Sequence, residues 1–84
     1  MLLAIDVGNT NMVFGIYEGD RLAGSFRLKT DASRTADEIG LLATRYFAQF
    51  GLDANGVEDV IIASVVPGIM YSLKNAMLKY LGKR

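Results

Sequence analysis

The sequence predicts a small α/β domain in which three strands, a helix, a fourth strand and a second helix follow one another. Three observations favour this fold: an apolar run opens the chain, two-residue alternation follows over residues 21–30, and helical periodicity occupies two later segments. Short turns join the first three strands, which are therefore expected to form an antiparallel meander. The fourth strand follows a helix, so we expect it to lie parallel to the first strand in a mixed sheet, with that helix covering one face.

The composition describes one globular unit, and we expect residues 1–84 to form a single domain. Hydrophobic residues make up 51% of the chain and charged residues 21%, which argues against intrinsic disorder. Nine basic side chains balance nine acidic ones, so neither nucleic acid nor an anionic membrane is expected as the main partner. The lack of Cys and His excludes disulfides, thiolate and imidazole chemistry, and the commonest transition-metal sites. No apolar run is long enough to span a membrane and no basic region follows Met1, which predicts a cytoplasmic location.

The strands differ in their expected burial. Residues 2–5 and 60–66 are nearly continuous apolar runs, so both strands are predicted to be covered on both faces. The second strand is expected over 12–17, and the third, over 21–30, is expected to be half exposed. One face of that third strand should carry Leu22, Gly24, Phe26 and Leu28, and the other Ala23, Ser25, Arg27 and Lys29. The fourth strand is too apolar for an open sheet edge, so we expect a fragment or a covering chain, with a short complete protein as the alternative.

Both helices have clear start and stop signals. Thr35 and Glu38 fit a capping box at the start of the first helix, and Gly51 suits the position after its end. Pro67 suits the first turn of the second helix, which is expected to close at Gly82. The apolar stripe of the first helix comprises Ile39, Leu42, Ala43, Tyr46, Phe47 and Phe50, and that of the second comprises Ile69, Leu73, Ala76, Met77 and Tyr80.

The segment over residues 6–11 carries the chemistry. Asp6 ends a buried strand, and the following turn is rich in hydroxyl and amide groups. Gly8 permits positive φ and lets the backbone approach a ligand, while successive N–H groups of a tight turn form a concavity that binds anions. The side chains of Asn9, Thr10 and Asn11 can donate to phosphate oxygens, and a neighbouring carboxylate can hold Mg²⁺ through water.

An ordinary connecting turn is the alternative, since Asn-rich turns containing Gly join strands in many proteins. Asp6 favours the phosphate site, because a lone carboxylate after four apolar residues costs stability unless something pairs with it.

The segment over residues 6–11, followed by an apolar strand, resembles the first phosphate-binding hairpin of the sugar-kinase, chaperone and actin superfamily. Within that superfamily the sequence is most similar to the type III pantothenate kinases. Residues 1–6 (MLLAID), 34–38 (RTADE) and 62–67 (IASVVP) carry the narrower resemblance, which covers essentially the whole chain.

The resemblance implies an ATP-dependent kinase that converts pantothenate to 4'-phosphopantothenate, the first step toward coenzyme A. It implies a ribonuclease H-like half domain, a fold duplicated in the family, and a homodimer that uses Mg²⁺ and a monovalent cation, K⁺ or NH₄⁺. Asp6 would lie near Mg²⁺, with water between them. By position, the residues that would hold the ATP phosphates are Asp6, Val7, Gly8, Asn9, Thr10, Asn11, Met12 and Val13.

Family members are longer, and the resemblance places the general base, the monovalent-cation site and most of the pantothenate site outside these 84 residues. The chain alone is therefore expected to bind nucleotide weakly and to lack kinase activity. Two alternatives stay open: another kinase of the superfamily, and a non-catalytic regulatory or transcriptional accessory module. Neutral charge and the lack of a helix-turn-helix pattern argue against direct DNA contact.

Several other polar residues have simpler explanations. Asp37 and Glu38 diverge on a helix, so they are not an acid–base pair. Arg34 could reach a phosphate or a partner chain, although a surface arginine needs no role. Ser64 could line the site, although a small residue packed at a strand end is the simpler explanation. A solvated helix end explains Lys79, Lys83 and Arg84, and Tyr46, Phe47 and Phe50 are expected in the core.

Overall fold

The computed structural model describes residues 1–82, and its strands and helices have the predicted order. The sheet consists of β1 (Leu2–Val7), β2 (Asn11–Glu18), β3 (Arg21–Lys29) and β4 (Asp59–Ser64), arranged β3-β2-β1-β4. The helices are α1 (Ala36–Gln49) and α2 (Pro67–Ala76), and a π-helical turn, Met77–Leu81, extends α2. β1 pairs antiparallel with β2 and parallel with β4, while β2 and β3 are antiparallel. This topology confirms the mixed sheet expected of a ribonuclease H-like half domain.

Only one face of the sheet is covered within residues 1–82. Alternate side chains of β1 are buried, none more than 2% exposed, and they pack in one core with both helices. These side chains are Leu3, Ile5 and Val7. On β4, Ile62 is half buried and Ile61 is 58% exposed. The prediction that β1 and β4 are covered on both faces is therefore wrong for the described residues. A run of apolar residues shows that both faces of a strand are apolar, but it does not show that another element packs on each of them. We call the uncovered side the open face.

A β-bulge changes the facing of one residue of β3. Ile16 pairs with Gly24, but Tyr17 pairs with Leu22, so Ala23 is an extra residue in β3. Leu22 consequently lies on the open face and is 51% exposed. The alternation predicted for β3 holds for Phe26 but is wrong for Leu22, since a register shift of one residue reverses side-chain facing.

The capping box at α1 is confirmed. The Glu38 N–H donates to Thr35 Oγ1 over 3.1 Å, and the Thr35 N–H donates to Glu38 Oε1 over 2.9 Å. After the helix, Gly51 has a φ of +72°, a conformation that glycine adopts without strain. On the predicted stripe, Phe47 is 1% exposed and Leu42 36% exposed, so the buried face is narrower than predicted.

The two helices contact each other closely at Gly40. A Cβ at this position would collide with the ring of Tyr80, so only glycine allows the approach. Nearby, Tyr80 Oη and Lys79 Nζ each donate to Asp37 Oδ1 over 2.7 Å. Lys79 is exposed, as predicted for a solvated helix end, and is in addition paired with Asp37; Lys83 and Arg84 lie outside the described residues. The hydrogen bond from Lys79, followed by that from Tyr80, holds the pKa of Asp37 below its ordinary value of 3.8.

We expect Asp37→Asn to lower the free energy of unfolding slightly at pH 7, because it removes a surface ion pair. A carboxyl whose pKa is lowered by folding stabilises the protein above its unfolded pKa and loses this effect as pH falls through the folded pKa. The difference between the wild type and Asp37→Asn should therefore disappear in acid below pH 3.8. Urea unfolding across this range measures it, with Asp20→Asn as an exposed control. A difference that persists unchanged in acid would contradict the assignment.

Stacked aromatic rings join the sheet to α1. The rings of Phe14 and Phe26 lie 4.5 Å apart and nearly parallel, and Phe26 and Tyr46 lie 4.4 Å apart. Phe14 and Phe26 are also opposite one another in the β2–β3 pairing. The stack therefore couples the register of β2 and β3 to the position of α1 on the sheet.

Phe14→Ala should reduce the free energy of unfolding by about 3–5 kcal/mol, because it removes a fully buried ring and leaves a cavity in its place. This loss is comparable with the whole stability of a small domain, so the variant should be largely unfolded at ambient temperature. Circular dichroism with urea titration measures the effect. Tyr71→Ala is the control, since Tyr71 is 80% exposed and its removal should change stability by less than about 0.5 kcal/mol. A well-folded Phe14→Ala variant would contradict the assigned role.

Candidate phosphate-binding site

Three strands end at one edge of the sheet. Two successive antiparallel pairings make β3 run in the direction of β1, and β4 is parallel to β1. The carboxyl ends of all three strands therefore meet at the edge where the β1–β2 hairpin turns. Ligands of open α/β sheets bind at such edges.

Asp6 lies at this edge, on the open face. It is opposite Val13 of β2 and Ala63 of β4, and it is exposed. Among residues 1–82, no hydrogen bond or ion pair engages its carboxylate. The expectation of a buried acid is wrong here, because strand alternation places Asp6 on the uncovered side. Its carboxylate is instead accessible to a ligand or a hydrated cation.

A shallow depression of ≈ 300 Å³ adjoins Asp6 on the open face. Its lining combines the small residues Gly15 and Ala63 with larger apolar side chains, which include Val13, Tyr17, Leu22 and Ile61. Leu22 reaches this position only because of the bulge in β3.

Two cations on β3 share the open face with Asp6. Arg27 is opposite Val13, which is itself opposite Asp6, so the three side chains lie in one row across the sheet. Two strand spacings of about 4.8 Å separate the backbones of Arg27 and Asp6. Lys29 is opposite Asn11 in the next row, beside the hairpin. The alternation in the sequence predicts that both cations share one face of β3, but it does not associate them with Asp6, because that depends on the strand register.

In the hairpin turn, the main-chain carbonyl groups and the main-chain N–H groups differ in how many of them have a hydrogen-bond partner in the protein. The Gly8 N–H donates to the Asn11 carbonyl over 2.9 Å. Thr30 donates to two further carbonyls: its N–H to that of Thr10 and its Oγ1 to that of Gly8, each over 2.8 Å. Within residues 1–82, the N–H groups of Asn9 and Thr10 donate to no protein acceptor. The exposed turn therefore offers donors, as an anion site requires.

Gly8 does not adopt the positive φ that the sequence suggested. Within the described residues, positive φ occurs only at Gly19, Gly51 and Gly82. A Cβ at Gly8 would lie 3.4 Å from the Asn11 carbonyl oxygen, which is ordinary contact distance. The fold therefore does not demand glycine here.

The other segments at this edge are bonded locally. The Val65 N–H donates to the Val7 carbonyl over 3.2 Å, which joins the ends of β4 and β1. Ser64 Oγ accepts the Val66 N–H over 3.0 Å, so Ser64 forms an exposed turn before α2 and is not packed as expected. Arg34 Nε donates to the Lys29 carbonyl over 3.2 Å and so binds the main chain of its own protein.

The site suits a cation carried by a ligand better than a cation held by the protein. Residues 1–82 contain no cluster of three or more acidic, His or Cys side chains that could hold a metal ion. Mg²⁺ keeps several waters and commonly binds through one carboxylate together with phosphate oxygens, which the accessible Asp6 carboxylate fits. A larger depression of ≈ 470 Å³ on the outer surface of α1 is lined by Leu41, Leu42, Arg45, Tyr46 and Gln49. That surface offers neither a carboxylate nor a donor-lined turn.

The strand order, and a polar hairpin at the carboxyl edge, define this chain as an α/β domain of the ribonuclease H-like kind. Within residues 1–82, neither helix is long and apolar enough to cross a membrane. Comparison with known sequences identifies the family. A family model described as type III pantothenate kinase matches residues 2–84, and the chain belongs to that family.

Curated relatives agree with this assignment. A type III pantothenate kinase of Bifidobacterium longum subsp. infantis is 50% identical over 82 residues, which is 98% of this chain and 32% of the relative. That of Agathobacter rectalis is 45% identical over 84 residues, the whole of this chain and 32% of the relative. That of Bifidobacterium adolescentis is 44% identical over 81 residues. The chain thus spans about a third of the length of these relatives, and the resemblance to the type III pantothenate kinases is confirmed.

We expect Gly8→Ala to change the free energy of unfolding by less than about 1 kcal/mol, because its φ is ordinary and a methyl group fits. Gly40→Ala is the matched comparison, since its methyl group collides with Tyr80 and should cost about 1–3 kcal/mol. Urea unfolding of the two variants measures the contrast. Equal destabilisation by both substitutions would mean that Gly8 has a structural role.

Proposed function

We propose that this chain supplies the ATP-phosphate-binding hairpin of a kinase that converts pantothenate to 4'-phosphopantothenate, the first step of coenzyme A biosynthesis. One observation carries the proposal: the turn after β1 has two N–H groups with no protein acceptor within residues 1–82, and the carbonyls of Gly8, Thr10 and Asn11 are engaged, next to an accessible carboxylate at the carboxyl edge of the sheet. The names of the relatives supply the substrate, since those proteins are type III pantothenate kinases.

Each group has a distinct part in the proposed site. The N–H groups of Asn9 and Thr10, with the side chains of Asn9, Thr10 and Asn11, donate to phosphate oxygens. Bound Mg²⁺ would neutralise phosphate charge, and Asp6 would hold it through water. Arg27 and Lys29 add positive charge on the same face. Val7 and Met12 belong to the flanking strands and are buried in the core, where they fix the hairpin, and Val13 lies opposite Asp6 on the open face.

Phosphoryl transfer needs further groups that the proposal places outside these residues. The general base, the monovalent-cation site for K⁺ or NH₄⁺ and most of the pantothenate site belong to the remaining two thirds of the family's length. The chain alone is therefore proposed to bind nucleotide without transferring phosphate. A cytoplasmic homodimer is the form proposed for the whole kinase.

Asp6→Asn tests the proposed metal-linked phosphate site by isothermal titration of ATP with and without Mg²⁺. With Mg²⁺, the variant should bind ATP about tenfold more weakly than the wild type, because a charge-assisted hydrogen bond to a hydrated cation is lost. Without Mg²⁺, the variant should bind no more weakly, since the wild-type carboxylate then repels the phosphates.

Asp20→Asn serves as the matched control. Asp20 is an exposed carboxylate in the β2–β3 turn, at the opposite edge of the sheet from Asp6. Its removal changes net charge by the same amount and should leave both affinities unchanged. Equal binding of Mg·ATP by the wild type and Asp6→Asn would reject the role of Asp6, and no binding by the wild type would reject the function for this chain.

A further inference from the structure

Thr30 contacts the hairpin turn at two points. It is the residue directly after β3 and is partly buried, and its hydroxyl and N–H donate to the carbonyls of Gly8 and Thr10, each over 2.8 Å. These contacts join residues about twenty positions apart in sequence. No motif in the sequence indicated them.

The two contacts influence which partial charges of the main chain the turn exposes to a ligand. A carbonyl oxygen carries partial negative charge, so a free carbonyl beside a bound phosphate would weaken binding. Thr30 engages the carbonyls on either side of Asn9, while the N–H groups of Asn9 and Thr10 have no protein acceptor within residues 1–82. Three of the four carbonyls of the turn, those of Gly8, Thr10 and Asn11, are therefore engaged, whereas two of its N–H groups have no protein acceptor within these residues.

Thr30 is itself held in place by the segment before α1. The peptide between Lys29 and Thr30 donates its N–H to Thr10, and its carbonyl accepts from Arg34 Nε over 3.2 Å. The Arg34 N–H in turn donates to the Asp31 carbonyl over 3.0 Å, and Ser33 donates twice to the Asp31 carboxylate. Hydrogen bonds linked through one peptide polarise each other. A line of hydrogen bonds, which we call the brace, thus runs from Arg34 Nε through the peptide between Lys29 and Thr30 to the carbonyl of Thr10.

We propose that Thr30, secured by Arg34, is the positioning residue that orients the hairpin for a polyphosphate tail. The proposal rests on the proposed function and adds to it a residue outside the segment over 6–13. Thr30 need not touch the ligand, because it acts through the carbonyls of Gly8 and Thr10.

Two substitutions at Thr30 separate its hydroxyl from its shape. Thr30→Val keeps the branched side chain but loses the hydroxyl, whereas Thr30→Ser keeps the hydroxyl. The Kd of Mg·ATP, from isothermal titration, should rise about five- to tenfold in Thr30→Val and stay within about twofold in Thr30→Ser. In ¹H–¹⁵N spectra, the amide signals of Asn9 and Thr10 should move in Thr30→Val and return toward their wild-type positions in Thr30→Ser.

Thr44→Val is the matched control. Thr44 Oγ1 also donates to main-chain carbonyls, those of Gly40 and Leu41, both over 3.0 Å, but on α1. Its loss should leave the Kd and the hairpin amide signals unchanged. Should Thr30→Val fail to fold, Arg34→Met weakens the same brace from outside and should raise the Kd about two- to threefold.

The outcomes decide the proposal. Wild-type affinity and unchanged amide signals in Thr30→Val would overturn it, as would equal weakening by Thr30→Val and Thr30→Ser. If the wild type binds no Mg·ATP, the proposed function fails for this chain, and the amide spectra alone decide whether Thr30 orients the turn. Signals that move only in Thr30→Val would then support that role, and signals that stay in place would reject it.

Discussion

The burial of one face of the sheet is the constraint on which the rest of the structure depends. Both helices pack on the side chains of β1 that alternate from Leu3, and the aromatic stack from Phe14 to Tyr46 fixes the position of α1. Strand alternation then leaves every second residue on the open face. Asp6, Arg27 and Lys29 lie on that face because their neighbours in sequence are in the core. The site is therefore a consequence of core packing and needs no dedicated support for each side chain.

The strand topology is a second constraint, because it brings the polar segments at the ends of three strands to the same edge of the sheet. Because β1, β3 and β4 run in one direction, the hairpin, the segment after β3 and the turn before α2 meet at one edge. The contact between Thr30 and Gly8 depends on this convergence. Hydrogen bonds within each of these segments hold its backbone in place, so this edge of the sheet combines a fixed backbone with the N–H groups of Asn9 and Thr10, which have no protein acceptor within residues 1–82.

The sequence predicted the type and order of the elements well because their signals are local. The capping box at Thr35, the alternation through Phe26 and the turn at Gly51 each depend on a few neighbouring residues. Predictions failed where distant residues decide the outcome. A bulge set the facing of Leu22, and the position of both helices on one side left Asp6 exposed. The candidate turn was found from its residue types, but Thr30 was missed because its partners are set by strand register.

An exposed acid changes how the proposed site would reach its affinity. A buried carboxylate costs desolvation that a single strong partner must offset, whereas Asp6 remains hydrated in the absence of a ligand. A carboxylate in contact with water attracts each unit of positive charge by only about 1 kcal/mol, so Asp6 alone cannot hold a nucleotide through its bound cation. In the proposed site, affinity would instead come from several modest contacts, those of the amides of Asn9 and Thr10 and of the cations of β3. The orientation of the turn then matters as much as any one side chain, because it sets the direction of several donors together.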